Sequence, residues 1–143
     1  MTGCLFCQVV VGEAPAHRVL DEADAVAFLD VLPLFPGHCL LVPREHHETL
    51  GDLPEPLVGG LFATARRLAL AVEAAMEAEG SFVAMNNRVS QSVPHLHVHV
   101  VPRRRKDGLR GFFWPRSRYA DDAEAEAVAA RVRAALLSPG GDA

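Results

Sequence analysis

The sequence predicts an α+β domain: an antiparallel meander of about five strands covered by one long helix, with a further helix at the C-terminus. Three observations carry this. Short apolar segments at 18–20, 25–30, 38–42, 81–86 and 95–101 are separated by Pro, Gly and acidic residues, the pattern of strands joined by turns. Between the third and fourth, Leu57, Leu61, Leu68 and Val72, with Val58, Phe62, Ala65, Ala69 and Met76, recur at helical steps and form one stripe. Finally, His95, His97 and His99 alternate with Leu96, Val98 and Val100, so an extended strand turns the imidazoles to one face and the apolar side chains to the other.

At 143 residues the chain suits a single domain, expected over residues 1–137, with 138–143 a disordered tail. Half of the residues are hydrophobic and 22% are charged, an ordinary globular balance. A net charge of −4 offers no general attraction for nucleic acid or acidic membranes, so an anionic ligand must be held by local groups. The apolar run around Val9 to Val11 is too short for a secretion signal and has no basic leader. No stretch approaches the ~20 apolar residues of a membrane span. A cytoplasmic protein is expected. Three cysteines, two of them spaced Cys4-x-x-Cys7, then point to metal or redox chemistry ahead of disulfides.

Taken in order, Cys4-Leu5-Phe6-Cys7 opens the chain, and Gln8 to Val11 follows as a short helical or extended segment before Gly12 and Pro15. The cysteine pair by itself is open to three readings: half of a zinc site, a redox pair, or two small buried hydrophobes. Redox ranks lowest, because no strand-then-helix context surrounds it. Arg18 to Leu20 and Ala25 to Asp30 read as a hairpin whose tip is Asp21-Glu22-Ala23-Asp24. After Pro33, Pro36 and Gly37, His38 to Val42 resumes as an apolar strand that Pro43 ends. Asp52 as cap, Pro54 in the first turn and Glu55 in the reciprocal place start the long helix, which runs to Glu79 and stops at Gly80. Ser81 to Asn86 is the fourth strand, and a polar loop to Ser92 leads into the histidines. Arg103-Arg104-Arg105-Lys106 reads as a solvated loop that could also receive a polyphosphate tail. An aromatic stretch, Phe112-Phe113-Trp114, precedes an Ala-rich helix from Asp121 to Leu137.

One histidine on a strand is most often a solvated residue. Three in register are costly to place, since His is neither a strong strand former nor cheap to bury unpaired. The run His95-Leu96-His97-Val98-His99-Val100-Val101 resembles the signature of the histidine triad (HIT) family of nucleotidyl hydrolases and transferases. The similarity is collinear from Cys4 to about Trp114, and its pattern is that of the small Hint-like bacterial branch with an N-terminal Cys-x-x-Cys zinc site.

The resemblance implies the HIT fold, a homodimer, and release of a nucleoside 5′-monophosphate, AMP or another purine nucleotide, from a phosphoramidate or phosphoanhydride. It implies His97 as the nucleophile, His99 as donor to the phosphate oxygens, and Ser92 as an aid to the leaving group. Phe28, Asp30 and Val31 are implied to hold the nucleoside, Asp30 accepting from the ribose hydroxyls; the plain alternative for Asp30 is a loop-capping carboxylate. Asn86 and Gln91 are implied to face phosphate and leaving group, and Trp114 to shape leaving-group selectivity. In zinc-containing members a histidine stands three residues after the strand-ending Pro. Here that is His46, which with Cys4, Cys7 and His95 makes the set a closed structural zinc site requires.

The chain departs from the family pattern in the loop before the triad. Ser90 stands where many members have Gly, and the loop is about two residues shorter; glycines there would let backbone amides approach a phosphate. Three alternatives follow: a dinucleoside polyphosphate hydrolase, a nucleotide-binding regulator with weak catalysis, and a zinc-stabilised interaction module. Retention of His97 and His99, which a zinc site using His95 does not need, speaks against the last.

Overall fold

In the computed structural model, which describes residues 3–110 and 115–137, the alternation of the apolar segments builds one sheet with two covered faces. Five strands, β1 (Arg18–Asp21), β2 (Ala25–Leu29), β3 (Cys39–Pro43), β4 (Gly80–Ala84) and β5 (Val98–Arg103), pair antiparallel throughout. Ala25, Ala27, Cys39, Leu41, Val98 and Val100 pack toward Leu61, Ala65, Leu68 and Val72 of the long helix α2 (Glu55–Ala75). The intervening residues Val26, Phe28, Leu40 and Val42 pack toward Phe6, Val9 and Val10 of a short helix, α1 (Leu5–Val11). A sheet covered on both faces explains why β2 and β3 read as unbroken apolar runs. Each large aliphatic side chain buried this way is worth about 1.5–3 kcal/mol relative to exposure.

The first three strands follow one another as a meander, but the sheet order is β1-β2-β3-β5-β4. Helix α2 carries the chain to the far edge, where β4 forms, and β5 returns between β4 and β3. That position sets His99 opposite Leu40 on one side and Ala84 on the other. Among the described residues no helix is long and apolar enough to cross a membrane.

Helix α2 begins and ends differently from its sequence signals. Asp52 belongs to a preceding 3₁₀ turn (Leu50–Asp52), where its carboxylate accepts from the Thr49 amide at 3.0 Å; Pro54 takes the N-cap position of α2. The Thr49/Asp52 pair therefore forms the capping box one turn early. At the other end α2 stops at Ala75, Glu77 adopts a positive φ of 51°, and Gly80 opens β4. The Arg104 guanidinium donates to the Met76 carbonyl, a cation placed at the helix C-terminus. Among the described residues nothing beyond the helix's own backbone and the flanking residues would lie within 4 Å of a Cβ at Gly59 or Gly60, so packing gives no reason for that pair.

The chain divides into two compact units, Met1–Asp107 and Gly108–Ala143, within what the sequence presents as one domain. In the second unit, helix α3 (Asp122–Leu137) is capped by Asp121, whose carboxylate accepts the Glu124 amide at 2.8 Å. Trp114 and the expected tail at 138–143 lie outside the described residues.

Candidate active site and metal centre

Cys4 caps α1, and its sulfur accepts the Cys7 amide at 3.4 Å, which brings both sulfurs to the start of one helical turn. His95 Nδ1 stands 3.5 Å from each sulfur, and His46 Nδ1 stands 3.3 Å from that of Cys7. All four ligand atoms lie within 4.8 Å of one another. Zinc bonds of about 2.3 Å to sulfur and 2.0–2.1 Å to nitrogen give a tetrahedral sulfur–nitrogen edge of about 3.5 Å, the spacing found. His95 Nε2 donates to the Pro43 carbonyl at 2.9 Å, which leaves Nδ1 bare and aimed at the sulfurs. The four residues could therefore hold a metal ion, and their dimensions and donor types suit zinc. His47 stays outside the cluster: its carbonyl accepts the Leu96 amide at 2.7 Å and pins the approach to the triad.

His95 and His97 precede β5, which begins at Val98, while His99 lies within it. The alternation nonetheless holds across the junction. Leu96, Val98 and Val100 are fully buried on the α2 face, and the histidines share the α1 face with Phe6, whose ring meets those of His95 and His97 edge-on. His97 Nδ1 lies 2.8 Å from the His95 carbonyl. A carbonyl can only accept, so Nδ1 carries a proton, and in the neutral imidazole the lone pair is on Nε2.

His99 is governed by a residue to which the sequence assigned no role. The Leu34 amide lies 3.1 Å from His38 Nδ1, and an amide can only donate, so the His38 proton sits on Nε2. His38 Nε2 is 2.9 Å from His99 Nδ1 and donates to it, which leaves the His99 proton on Nε2. Burial lowers the pKa of His38, with Asp30 opposing, and burial together with the neighbouring His97 and His38 pushes that of His99 down to about 4. Both rings are neutral at neutral pH. With ring centroids 5.0 Å apart, His97 offers a lone pair and His99 an N–H side by side, the pairing a phosphoryl centre calls for in a nucleophile and an oxygen-binding donor.

Asp30 closes this group. Its Oδ1 accepts the Leu32 amide at 2.9 Å, the loop-capping role, while Oδ2 lies 3.6 Å from His38 Nε2. Phe28 is buried and packed edge-on to Phe6 at 5.4 Å, so it backs the site, whereas Val31 is 83% exposed. In the loop before the triad, the Asn86 amide donates to the Ser90 carbonyl at 3.2 Å. Gln91 accepts from the Arg88 amide and donates to the Glu48 carbonyl. Ser92 is exposed. Ser90 has φ 60° and Arg88 φ 68°, so the loop keeps left-handed backbone without glycine at either place.

Residues 11–106 match the HIT domain. The chain belongs to the HIT family. A solved Streptococcus mutans protein is 31% identical with a TM-score of 0.86, covering 95% of this chain and 87% of that one. A zinc-bound histidine triad family protein from Mycobacterium smegmatis is 33% identical with a TM-score of 0.72, covering 94% of this chain and 98% of that one. An adenosine 5′-monophosphoramidase of Saccharomyces cerevisiae is 34% identical over 109 residues, 74% of this chain and 66% of that relative.

This HIT domain thus gathers Cys4, Cys7, His46 and His95 in one cluster and Asp30, His38 and His99 in another, with the His97 ring beside that of His99. His38 and Phe6 carry no role in the sequence reading: His38 reads as the first residue of an apolar strand, and Phe6 only as part of Cys4-Leu5-Phe6-Cys7. The basic run serves the fold. Arg103 pairs with Asp107, Arg104 bonds the end of α2, and Arg105 pairs with Glu79 at 2.9 Å.

Proposed function

We propose that this HIT protein releases a nucleoside 5′-monophosphate, with AMP the first candidate, from a phosphoramidate by way of a nucleotidyl-His97 intermediate. The observation that carries the reading is the His97 Nδ1–H bond to the His95 carbonyl at 2.8 Å, which presents Nε2 as an unprotonated nucleophile. His97 Nε2 attacks the α-phosphorus in line, a phosphorus–nitrogen bond to His97 forms, and the bond to the leaving amine breaks as the amine takes up a proton. His99 Nε2–H donates to a non-bridging oxygen and stabilises the charge that develops there. Water then attacks phosphorus, AMP departs and His97 is restored. Two in-line displacements give net retention at phosphorus.

In this reading Asp30 accepts from the ribose hydroxyls, Phe28 and Val31 border the base, and Ser92 assists the leaving group. Asn86 and Gln91 face the phosphate and leaving group in this reading, from a loop held by the bond of Asn86 to the Ser90 carbonyl and that of Gln91 to the Glu48 carbonyl. Cys4, Cys7, His46 and His95 hold a structural zinc ion; when bound it supplies a crosslink among the N-terminus, the segment after β3 and the triad, and it takes no part in bond cleavage. The homodimer and the cytoplasmic location belong to the same reading through family membership, and light scattering on the purified protein tests the former.

The test is AMP release from adenosine 5′-phosphoramidate and, separately, from diadenosine tetraphosphate, by wild type and His97→Ala. Turnover of the phosphoramidate that His97→Ala abolishes supports the reading. Preference for the dinucleotide would replace it with a polyphosphate hydrolase, although three of the four cations that such a reading would draw on are already partnered within the fold. AMP binding without turnover of either substrate would leave a nucleotide-binding regulator.

A further inference from the structure

The metal cluster and the candidate nucleophile share their supporting atoms. His95 is used three times: Nδ1 faces the two sulfurs, Nε2 bonds the Pro43 carbonyl, and its own backbone carbonyl takes the His97 proton at 2.8 Å. Against the His97 ring stands Phe6, which the chain places between the two cysteines of the cluster. Its ring lies 5.1 Å from that of His97 at an interplanar angle of 83°, and it is only 6% exposed. Phe6 also meets His95 at 6.1 Å and Phe28 at 5.4 Å, so its own rotamer is fixed by three aromatic neighbours.

These contacts matter because the terminal torsion of a histidine is broad and roughly two-fold. A half-turn of the His97 ring puts Cδ2 where Nδ1 stood and Cε1 where Nε2 stood, so the bond to the His95 carbonyl is lost, the proton is no longer fixed on Nδ1, and a C–H replaces the lone pair at the site. The bond to the His95 carbonyl opposes that turn, and the packed ring of Phe6 obstructs it. Both are anchored in residues that a metal in the cluster would hold.

We propose that metal in the Cys4/Cys7/His46/His95 cluster fixes the ring orientation and tautomer of His97, with Phe6 as the positioning residue that transmits the constraint. The inference rests on the reading of His97 as the nucleophile for its functional meaning, but its physical content concerns only the ring. Loss of metal loosens the Cys4–Cys7 turn, frees Phe6 and lets His97 populate both orientations, so metal occupancy governs the reactive nitrogen as well as the fold.

The experiment reads the His97 ring nitrogens by long-range ¹H–¹⁵N spectroscopy on zinc-loaded protein, with His97→Gln identifying the signals. Wild type is expected to show one tautomer, protonated at Nδ1. Phe6→Leu, at one equivalent of zinc by metal analysis, is expected to show both nitrogens averaged and to lose about ten- to a hundredfold in kcat on adenosine 5′-phosphoramidate with KM little changed. Leu5→Ala, at a 51% exposed position of the same turn, is expected to behave as wild type. Chelation is expected to reproduce the averaged nitrogens while the circular dichroism of the fold persists; if the metal-free chain unfolds, the Phe6→Leu arm decides alone. Wild-type nitrogens and wild-type kcat in zinc-loaded Phe6→Leu would overturn the proposal. Failure of wild type to turn over the phosphoramidate would count against the proposed function instead, and the nitrogen spectra would still judge the coupling.

Discussion

His38 donates from Nε2 to Nδ1 of His99 across 2.9 Å, and the proton it donates is fixed in place by the Leu34 amide on its other nitrogen. One backbone N–H thus determines which nitrogen of His99 carries the hydrogen. Replacing His38 by Ala is expected to free the His99 tautomer and to lower kcat by about ten- to a hundredfold, less than the roughly hundred- to thousandfold of a donor removed outright. Gln, whose amide can still donate to His99, is expected to recover part of that loss. Steady-state kinetics of the two variants on adenosine 5′-phosphoramidate checks this.

The same burial sets a pH dependence. An imidazole whose folded-state pKa is about 4, against roughly 6.5 unfolded, binds fewer protons folded than unfolded between those values. Its contribution to stability is therefore complete above the unfolded value and is lost as pH falls from about 6.5 toward 4. Denaturant midpoints at neutral pH and near pH 4.5 are expected to differ more in wild type than in His99→Asn. Equal differences in the two proteins would show that His99 is not buried in its neutral form.

Removal of metal is expected to destabilise the protein markedly. The four residues that could hold it come from the start of α1 and its cap, the segment after β3 and the approach to β5, which are distant in sequence. Binding energy at such a site is folding energy. A loss of at least about 3 kcal/mol would lower the melting temperature by roughly 10 °C for a chain of this size. Calorimetry before and after chelation, and on Cys7→Ser, measures it; a melting temperature insensitive to both would rule out a structural metal.

Gly37 has φ +96°, and a Cβ there would stand 2.6 Å from Met76 Cγ and 3.3 Å from Pro102 Cγ. Gly37→Ala is expected to cost about 1–3 kcal/mol through strained backbone and overpacking beside His38. Adding Met76→Ala is expected to restore only the steric share, because the backbone strain remains. Chemical denaturation of the single and double variants separates the two.

Ser90 and its loop account for what the sequence left in doubt about the phosphate-facing backbone. The residue keeps φ 60° without being glycine, so Ser90→Gly is expected to change turnover by less than about threefold. A large gain in kcat would mean that the loop is held in an unproductive shape by the serine.

Much of this was legible in the residues because the period-two alternation from His95 to Val100 survives even where the backbone is not yet a regular strand. Leu96 and Val98 bury on one side of it whatever the hydrogen bonding does. The Cys4, Cys7, His46 and His95 set was legible through the family pattern, since spacing along the chain does not bring β3 next to β5. For the same reason the order β3-β5-β4 could not be read: antiparallel neighbours look alike in sequence, and only packing of α2 decides which strand takes the edge. The start of α2 was misplaced because Asp52 satisfies Thr49 rather than the long helix. His38 stayed hidden because its partners, the Leu34 amide and His99, are supplied by a proline-bounded loop and a distant strand.

The central claim is the covalent role of His97, and trapping the intermediate tests it most directly. Wild type and His97→Ala are mixed with adenosine 5′-phosphoramidate, quenched within one turnover, digested and weighed by mass spectrometry. The account predicts an adenylyl adduct on the wild-type peptide that contains His97, with none in the variant and no AMP released by it. AMP release by His97→Ala at the wild-type rate, or an adduct on another residue, would contradict it.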